Sequence, residues 1–409
     1  MMKLLKFIAI FMTMMSLSRI DASNTMCPTP LPEQYQNVDA GRMLVAYVAN
    51  WDVYGARNYK IEDIYPIAHR LTHIIYAFMK PDDVTGTCQP HDLRADFGIT
   101  KSGVLKTSGN FIKLLQLKKQ FPHLKILLSV GGGTYNKNFI AIAKNPKKLK
   151  LFAQSCVDML DFYDYKGHHF KHKGVFDGLD IDWEWDAGTL TPQLSEAFTE
   201  FVYELRRLLQ IRKKATKQNA LLSVALQVMP SIYTNLNLTA LAKAVNWFHV
   251  MAYDFFGPWN EIVGFNAPIC SDKAIYSVDG AMQNIMEQGL SPAKMVLGLP
   301  LYGYIYENSG GHRKKIDKNN SNKAISYRTI KNNYINDPDF EKVWDDFGQV
   351  TSLYNPNDRI FISYDGHESM ARKVEFAKDK KMQGVVLWRL SGDDDEHTIV
   401  HAIADALVS

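Results

Sequence analysis

The stretch GVFDGLDIDWEW, Gly174 to Trp185, sets four acids into a run otherwise built for a buried strand. Asp177, Asp180, Asp182 and Glu184 read D-x-x-D-x-D-x-E, and Phe176, Leu179, Ile181 and Trp183 stand among them. Successive side chains of a strand point to opposite faces, so Asp180, Asp182 and Glu184 share one side while Ile181 and Trp183 take the other. Carboxylates on one side lie about 6–7 Å apart along the strand. Like charges so close repel and are not expected to be ionised together at neutral pH. A proton shared between neighbours keeps one carboxyl available as an acid. A solvated acidic loop is the plainer reading of the charge, but it leaves the apolar frame unexplained.

Outward from this run, short β-branched and aromatic segments alternate with longer segments of helical period. The strand candidates are Leu44–Asn50, Leu71–Met79, Lys125–Gly131, Val175–Trp183, Leu221–Gln227, Trp247–Ala252, Met295–Leu299 and Gly384–Arg389. Both their faces are apolar, which suits parallel strands covered by helices. Phe111–Gln120, Leu194–Leu209 and Asp279–Gln288 are amphipathic helix candidates. Eight strands alternating with helices predict an α/β fold, a (β/α)8 TIM barrel. The acids then sit at the C-terminal end of the fourth strand, where barrel enzymes carry their active sites. The gap between the seventh and eighth strands is too long for one helix. It holds the polar, turn-rich NSGGHRKKIDKNNSNK (308–323) and the strand-like DRIFISYD (358–365), so residues 303–366 are expected to form a small α+β insertion.

The chain has 409 residues, 46% of them hydrophobic and 12% aromatic, enough for a large core. Its net charge of +4 is scattered without a basic stripe, which argues against nucleic acid as a partner. Lys3 and Lys6 precede a short apolar run, Phe7–Met15, and the small residues Ala22 and Ser23 follow it; residues 1–22 are expected to be a signal peptide. No second apolar run is long enough for an anchor, so a secreted, non-membrane, monomeric protein is expected. Cys27, Cys88, Cys156 and Cys270 form no C-x-x-C pair; one or two disulfides are expected, their connectivity open. Asn237 and Asn319 begin glycosylation sequons. His168 and His172 have helical metal-ligand spacing, but flanking glycines and the strand that follows argue for a loop, so neither a metal nor a cofactor is expected.

D-x-x-D-x-D-x-E on a fourth strand resembles the signature of glycoside hydrolase family 18, the chitinases and their relatives. LLSVGGG (127–133) resembles that family's S-x-G-G third strand, MAYDFFGPW (251–259) its sixth-strand M-x-Y-D, and GVVLWRLSGDD (384–394) its eighth strand and tryptophan. VANWDVYGARNY and LTHIIYAF resemble the first two strands, and the similarity spans about residues 42–402. The resemblance implies a chitin or chito-oligosaccharide substrate. It implies Glu184 as proton donor, Asp182 as the group steering the substrate's acetamide, Asp180 as its proton-sharing neighbour, and Tyr253 as a hydrogen-bond donor to the acetamido oxygen. Trp388 is expected under the cleaved sugar; Met251, Asp254, Trp51, Trp259 and Asp177 are further substrate-binding candidates. Trp247, at the start of a strand, is expected in the core. Three positions depart from the family pattern: Gly133 replaces a tryptophan, Trp185-Asp186 replaces Tyr-Pro, and Asn260 stands where an acid is common. A catalytically dead, sugar-binding relative and an enzyme cutting the chitobiose core of N-glycans are the alternatives.

Overall fold

A computed structural model describes residues 27–36, 41–55, 57–99 and 109–409. The expected signal peptide lies outside the described residues. Eight parallel strands close into a barrel: β1 Met43–Ala49, β2 His73–Asp82, β3 Lys125–Gly131, β4 Gly178–Asp182, β5 Leu221–Gln227, β6 Trp247–Met251, β7 Met295–Pro300 and β8 Gly384–Trp388. Each pairs with its sequence neighbours, and β8 closes on β1 through Met43↔Gly384 to Ala46↔Leu387.

Strand alternation divides the apolar residues between two cores. Leu44, Ala46 and Val48 of β1 pack outward beneath the helices, with Leu179, Ile181 and Trp183 of the β4 segment. Val45 and Tyr47 point into the barrel, with Ile75, Ala77, Phe78, Leu127, Trp247, Val296 and Val386. The helices at Asn110–Gln120, Pro192–Thr216 and Val278–Glu287 cover the outside with buried faces such as Phe198, Phe201, Val202 and Leu205. Asn145 and Ser277 cap two helices with their side-chain oxygens.

The fourth strand is shorter than expected. The ladder runs only from Gly178 to Asp182; Val175 and Phe176 precede it, and Trp183 leaves it to stack on Phe139 at 4.8 Å. Glu184 is therefore presented by the loop above the strand, although the inward–outward alternation continues through it.

Between β7 and β8 stands a five-stranded antiparallel sheet of Tyr302–Tyr306, Lys323–Ser326, Glu341–Asp345, Val350–Asn355 and Ile360–Tyr364. A small core of Val263, Phe265, Tyr304, Tyr306, Ile316, Val350 and Phe361 holds it against the loop after β6. Cys27 and Cys270 form a disulfide, whereas Cys88 and Cys156 are buried free thiols. Asn237 and Asn319 are both exposed. His168 is exposed on the hairpin Phe162–Tyr165/His168–Lys171, and His172 is buried against Phe111; among the described residues no cluster of three or more His, Cys, Asp or Glu could hold a metal ion. No described helix is long and apolar enough to cross a membrane.

Candidate active site

Strand register assembles the acidic centre. Ser129 on β3 and Ser223 on β5 stand level with Asp180 on β4. All three point inward, and the fully buried Asp180 accepts hydrogen bonds from Ser129 (2.7 Å), Ser223 (2.7 Å) and, from β1, the Tyr47 hydroxyl (2.8 Å). Two oxygens thus receive three hydroxyl donors, so Asp180 acts here as an acceptor only.

Asp182 stands one inward position higher, 4% exposed, and its Oδ1 has no hydrogen-bond partner. Burial, then the charges of Glu184 and Asp180, push its carboxyl well above the usual range. Glu184, partly exposed to the cleft, is pushed up to about 7 by burial and by the charge of Asp254. Two neighbouring carboxyls whose proton affinity is raised by their surroundings form an acid–base pair.

The glycine run after β3 makes room for them. A Cβ on Gly131 would meet the Asp182 carbonyl at 2.0 Å, and one on Gly133 would stand 3.3 Å from both Glu184 carboxyl oxygens. The Gly132 N–H also donates to the Asp182 carbonyl at 2.9 Å. A side chain at 133 would thus crowd the carboxyl of the acid.

A small pocket of about 120 Å³ is lined by Tyr47, Asp182, Glu184, His249, Met251, Tyr253, Asp254, Gly298 and Trp388. It opens on a cleft of about 810 Å³ lined by Trp51, Asp254, Tyr302, Tyr304, Trp388 and Arg389 among others. The Trp388 ring meets Tyr47 edge-on at 5.2 Å and lies 25° from the plane of Phe78 at 5.9 Å. Asp254 accepts from Tyr302 (2.5 Å) and Tyr304 (2.7 Å), hydroxyls supplied by the inserted sheet. Trp51 packs on Phe78 at 5.8 Å beneath the Arg389 guanidinium, which is paired with Asp52. Trp259 is 57% exposed and meets Tyr304 edge-on at 5.4 Å, on the rim of the same side.

The structure therefore brings together Asp180, Asp182, Glu184, Tyr253, Met251, Asp254 and Trp388, with Trp51 in the cleft and Trp259 at its edge. It does not bring Asp177 there. Asp177 precedes β4, at the opposite end of the barrel, where it pairs with Lys118 at 2.6 Å and accepts from the Ile126 amide and Asn219. Five strand residues, about 16 Å of rise, separate it from Asp182. Its place in the acidic spacing reflects a clamp between β3, β4 and the helix of Lys118, and substrate does not reach it.

The other departures also find partners. Trp185 stacks on Trp183 at 4.0 Å, and its amide donates to Gln227 at 2.6 Å, so the loop after Glu184 is clamped. Asn260 accepts from the Gly257 amide at 2.9 Å and closes the turn that carries Trp259. Ser223, Tyr47, His249, Tyr302 and Tyr304 were not singled out by sequence, and Ser129 entered only as the serine of the S-x-G-G run. A serine inside KILLSVG and another inside LLSVALQ, each the one hydroxyl of an apolar strand, are the signals that mark two of them.

A closed parallel barrel with a buried acid pair at the C-terminal mouth and an aromatic floor defines a barrel glycosidase architecture. The profile of glycosyl hydrolases family 18 matches residues 43–393, and the chain belongs to that family. It is 30% identical to Chitinase A1 of Niallia circulans over 86% of this chain and 56% of that protein. It therefore spans a little over half the length of that relative. It is 29% identical to Chitinase 1 of Aphanocladium album over 90% of this chain and 86% of that one. A solved chitinase from Bacillus thuringiensis superposes with a TM-score of 0.78 at 28% identity, covering 90% of this chain and 70% of the other. The catalytic domain of a psychrophilic chitinase B from Arthrobacter gives 0.79 at 25%, covering 90% and 95%.

Proposed function

We propose that the protein is a secreted chitinase that cleaves β-1,4 linkages between N-acetylglucosamine units with retention at the anomeric carbon, the substrate's own acetamide acting as nucleophile. One observation carries the reading. The two carboxyls with raised proton affinity, Asp182 and Glu184, line one pocket with Tyr253 and Trp388, while Asp180 has both oxygens engaged by hydroxyls. A retaining glycosidase that used a protein nucleophile would need a second carboxylate free to attack.

In this reading Glu184 gives its proton to the glycosidic oxygen as the carbon–oxygen bond breaks. The acetamido carbonyl oxygen bonds to the anomeric carbon from the opposite face and forms an oxazolinium ion. Asp182, its Oδ1 unpartnered, accepts the acetamido N–H and steers the acetamide as it attacks. Tyr253 holds the acetamido oxygen, and Trp388 supports the sugar's C–H face. Glu184, now ionised, takes a proton from the incoming water, which attacks the anomeric carbon and opens the ring. Trp51 in the cleft and Trp259 at its edge extend the aromatic surface. Secretion rests on the lysine-flanked apolar start and agrees with the Cys27–Cys270 disulfide. The same acids could serve on an N-glycan core, so substrate class is part of the test.

The test is product analysis on chitin oligomers beside a fully deacetylated polymer and a high-mannose glycoprotein. Acetylated oligomers should release sugar first as the β-anomer, and the deacetylated polymer should turn over negligibly. Efficient cleavage of the deacetylated polymer, or a covalent glycosyl ester on Asp180 or Asp182, would remove the substrate-assisted mechanism. Cleavage of the glycoprotein alone would replace chitin with N-glycans.

A further inference from the structure

Beneath the acid pair lies a second layer of hydrogen bonds that ends at an indole. The Trp247 Nε1–H donates to His249 Nε2, and the other ring nitrogen, His249 Nδ1, lies 3.0 Å from the Tyr47 hydroxyl and 3.6 Å from Asp180 Oδ1. Tyr47 in turn donates to Asp180 Oδ2 at 2.8 Å. All four side chains are buried, at 5%, 1%, 4% and 0% exposure in the order Trp247, His249, Tyr47, Asp180. An indole nitrogen can only donate. His249 Nε2 must therefore accept, and a neutral imidazole then carries its proton on Nδ1. From there it donates to the Tyr47 oxygen, which leaves the Tyr47 hydrogen free for Asp180. The direction of the whole row follows from one donor-only group at its end.

We propose that Trp247 and His249 are positioning residues for the hydrolysis: by fixing the imidazole as the Nδ1–H tautomer, they commit the Tyr47 hydroxyl to Asp180 and so keep the pair's proton on the Asp182 side. This rests on the function proposed above. Without the indole, the ring can place its proton on Nε2 and accept at Nδ1. The Tyr47 hydroxyl can then turn to His249, and Asp180 keeps two donors in place of three. The pair as a whole would take up a further proton more readily. The titratable groups facing His249 are Asp180 from β4, Tyr47 from β1 and, across the Trp247 ring, His73 of β2, whose ring lies 5.1 Å from that indole; Asp182, Glu184, Tyr253 and Asp254 share the pocket that His249 lines.

Two measurements test the proposal. The first is 15N NMR of wild-type protein labelled at histidine, with His249 assigned by its loss in His249→Gln. An Nδ1-protonated neutral ring at pH 7 is expected; an Nε2-protonated or doubly protonated ring would overturn the proposal, and this readout needs no turnover. The second is the pH profile of kcat/KM for Trp247→Phe on chitin oligomers. Its acidic limb should move up by about one pH unit, the scale of one hydrogen bond to a charged group, with plateau kcat and KM within about twofold of wild type. An unmoved limb, or a uniform loss of kcat at all pH values, would reduce Trp247 to a packing residue. Wild-type protein inactive on every glycan would instead sink the proposed function and leave the tautomer result standing.

Discussion

The acid that the proposed chemistry requires should weaken the fold at neutral pH, and Glu184→Gln measures by how much. The Glu184 carboxyl is raised from about 4.5 to about 7 by burial and by the charge of Asp254. In the unfolded chain it ionises near its ordinary value, so between those two pH values the folded state binds more protons. Stability therefore falls as pH rises through that window, and the full penalty is present above pH 7. A shift of about 2.5 units at 1.36 kcal/mol per unit sets a ceiling of about 3 kcal/mol. Glutamine has the same shape and no charge to bury, so the mutant should be more stable than wild type at pH 8 by up to that amount. At about 2.1 cal/mol/K per residue, a domain of roughly 370 residues loses about 0.8 kcal/mol per kelvin at its midpoint, so the gain in Tm should reach about 4 °C. At pH 4 both side chains are neutral and the difference should vanish. Turnover should fall at least about 100-fold at every pH while oligomers still bind. Thermal scans at pH 4 and pH 8 with chito-oligosaccharide titrations read all of this. An equal gain at both pH values, or none at pH 8, would show that Glu184 is not held protonated by its surroundings, and near wild-type turnover would remove it as the acid.

The neighbouring charge gives a second handle: after burial, the charge of Asp254 is what raises Glu184, so Asp254→Asn should move the alkaline limb of kcat/KM to lower pH. A limb that stays in place or moves up would contradict the assigned cause. Asp182→Asn should lower kcat more than it raises KM, because the acetamide is steered mainly as it attacks; a pure KM effect would make Asp182 a ground-state contact. Asp177→Asn should lower unfolding stability by about 2 kcal/mol through the lost Lys118 pair, and leave kcat within about twofold. A selective loss of kcat in that mutant would return Asp177 to the site.

Sequence alone carried the barrel because strand pattern is local. Each of the eight strands shows as an apolar run with turn residues beside it, and the run beginning at Val175 announces inward acids through period two. The acids Asp182 and Glu184 were legible for the same reason, since neighbours on one strand face need only strand geometry to be placed together. What sits opposite them was not. Ser129, Ser223 and Tyr47 converge on Asp180 from three other strands, and only barrel closure and register put them level with it. Tyr302 and Tyr304 reach Asp254 from a sheet some fifty residues further along the chain. Asp177 shows the converse: one strand displays it beside the others in sequence, and the rise of that same strand carries it to the far end of the barrel. Spacing along a chain fixes the face on which a side chain lies, but partners across a barrel depend on how separate strands are staggered, and that stagger is set by the packing of the whole.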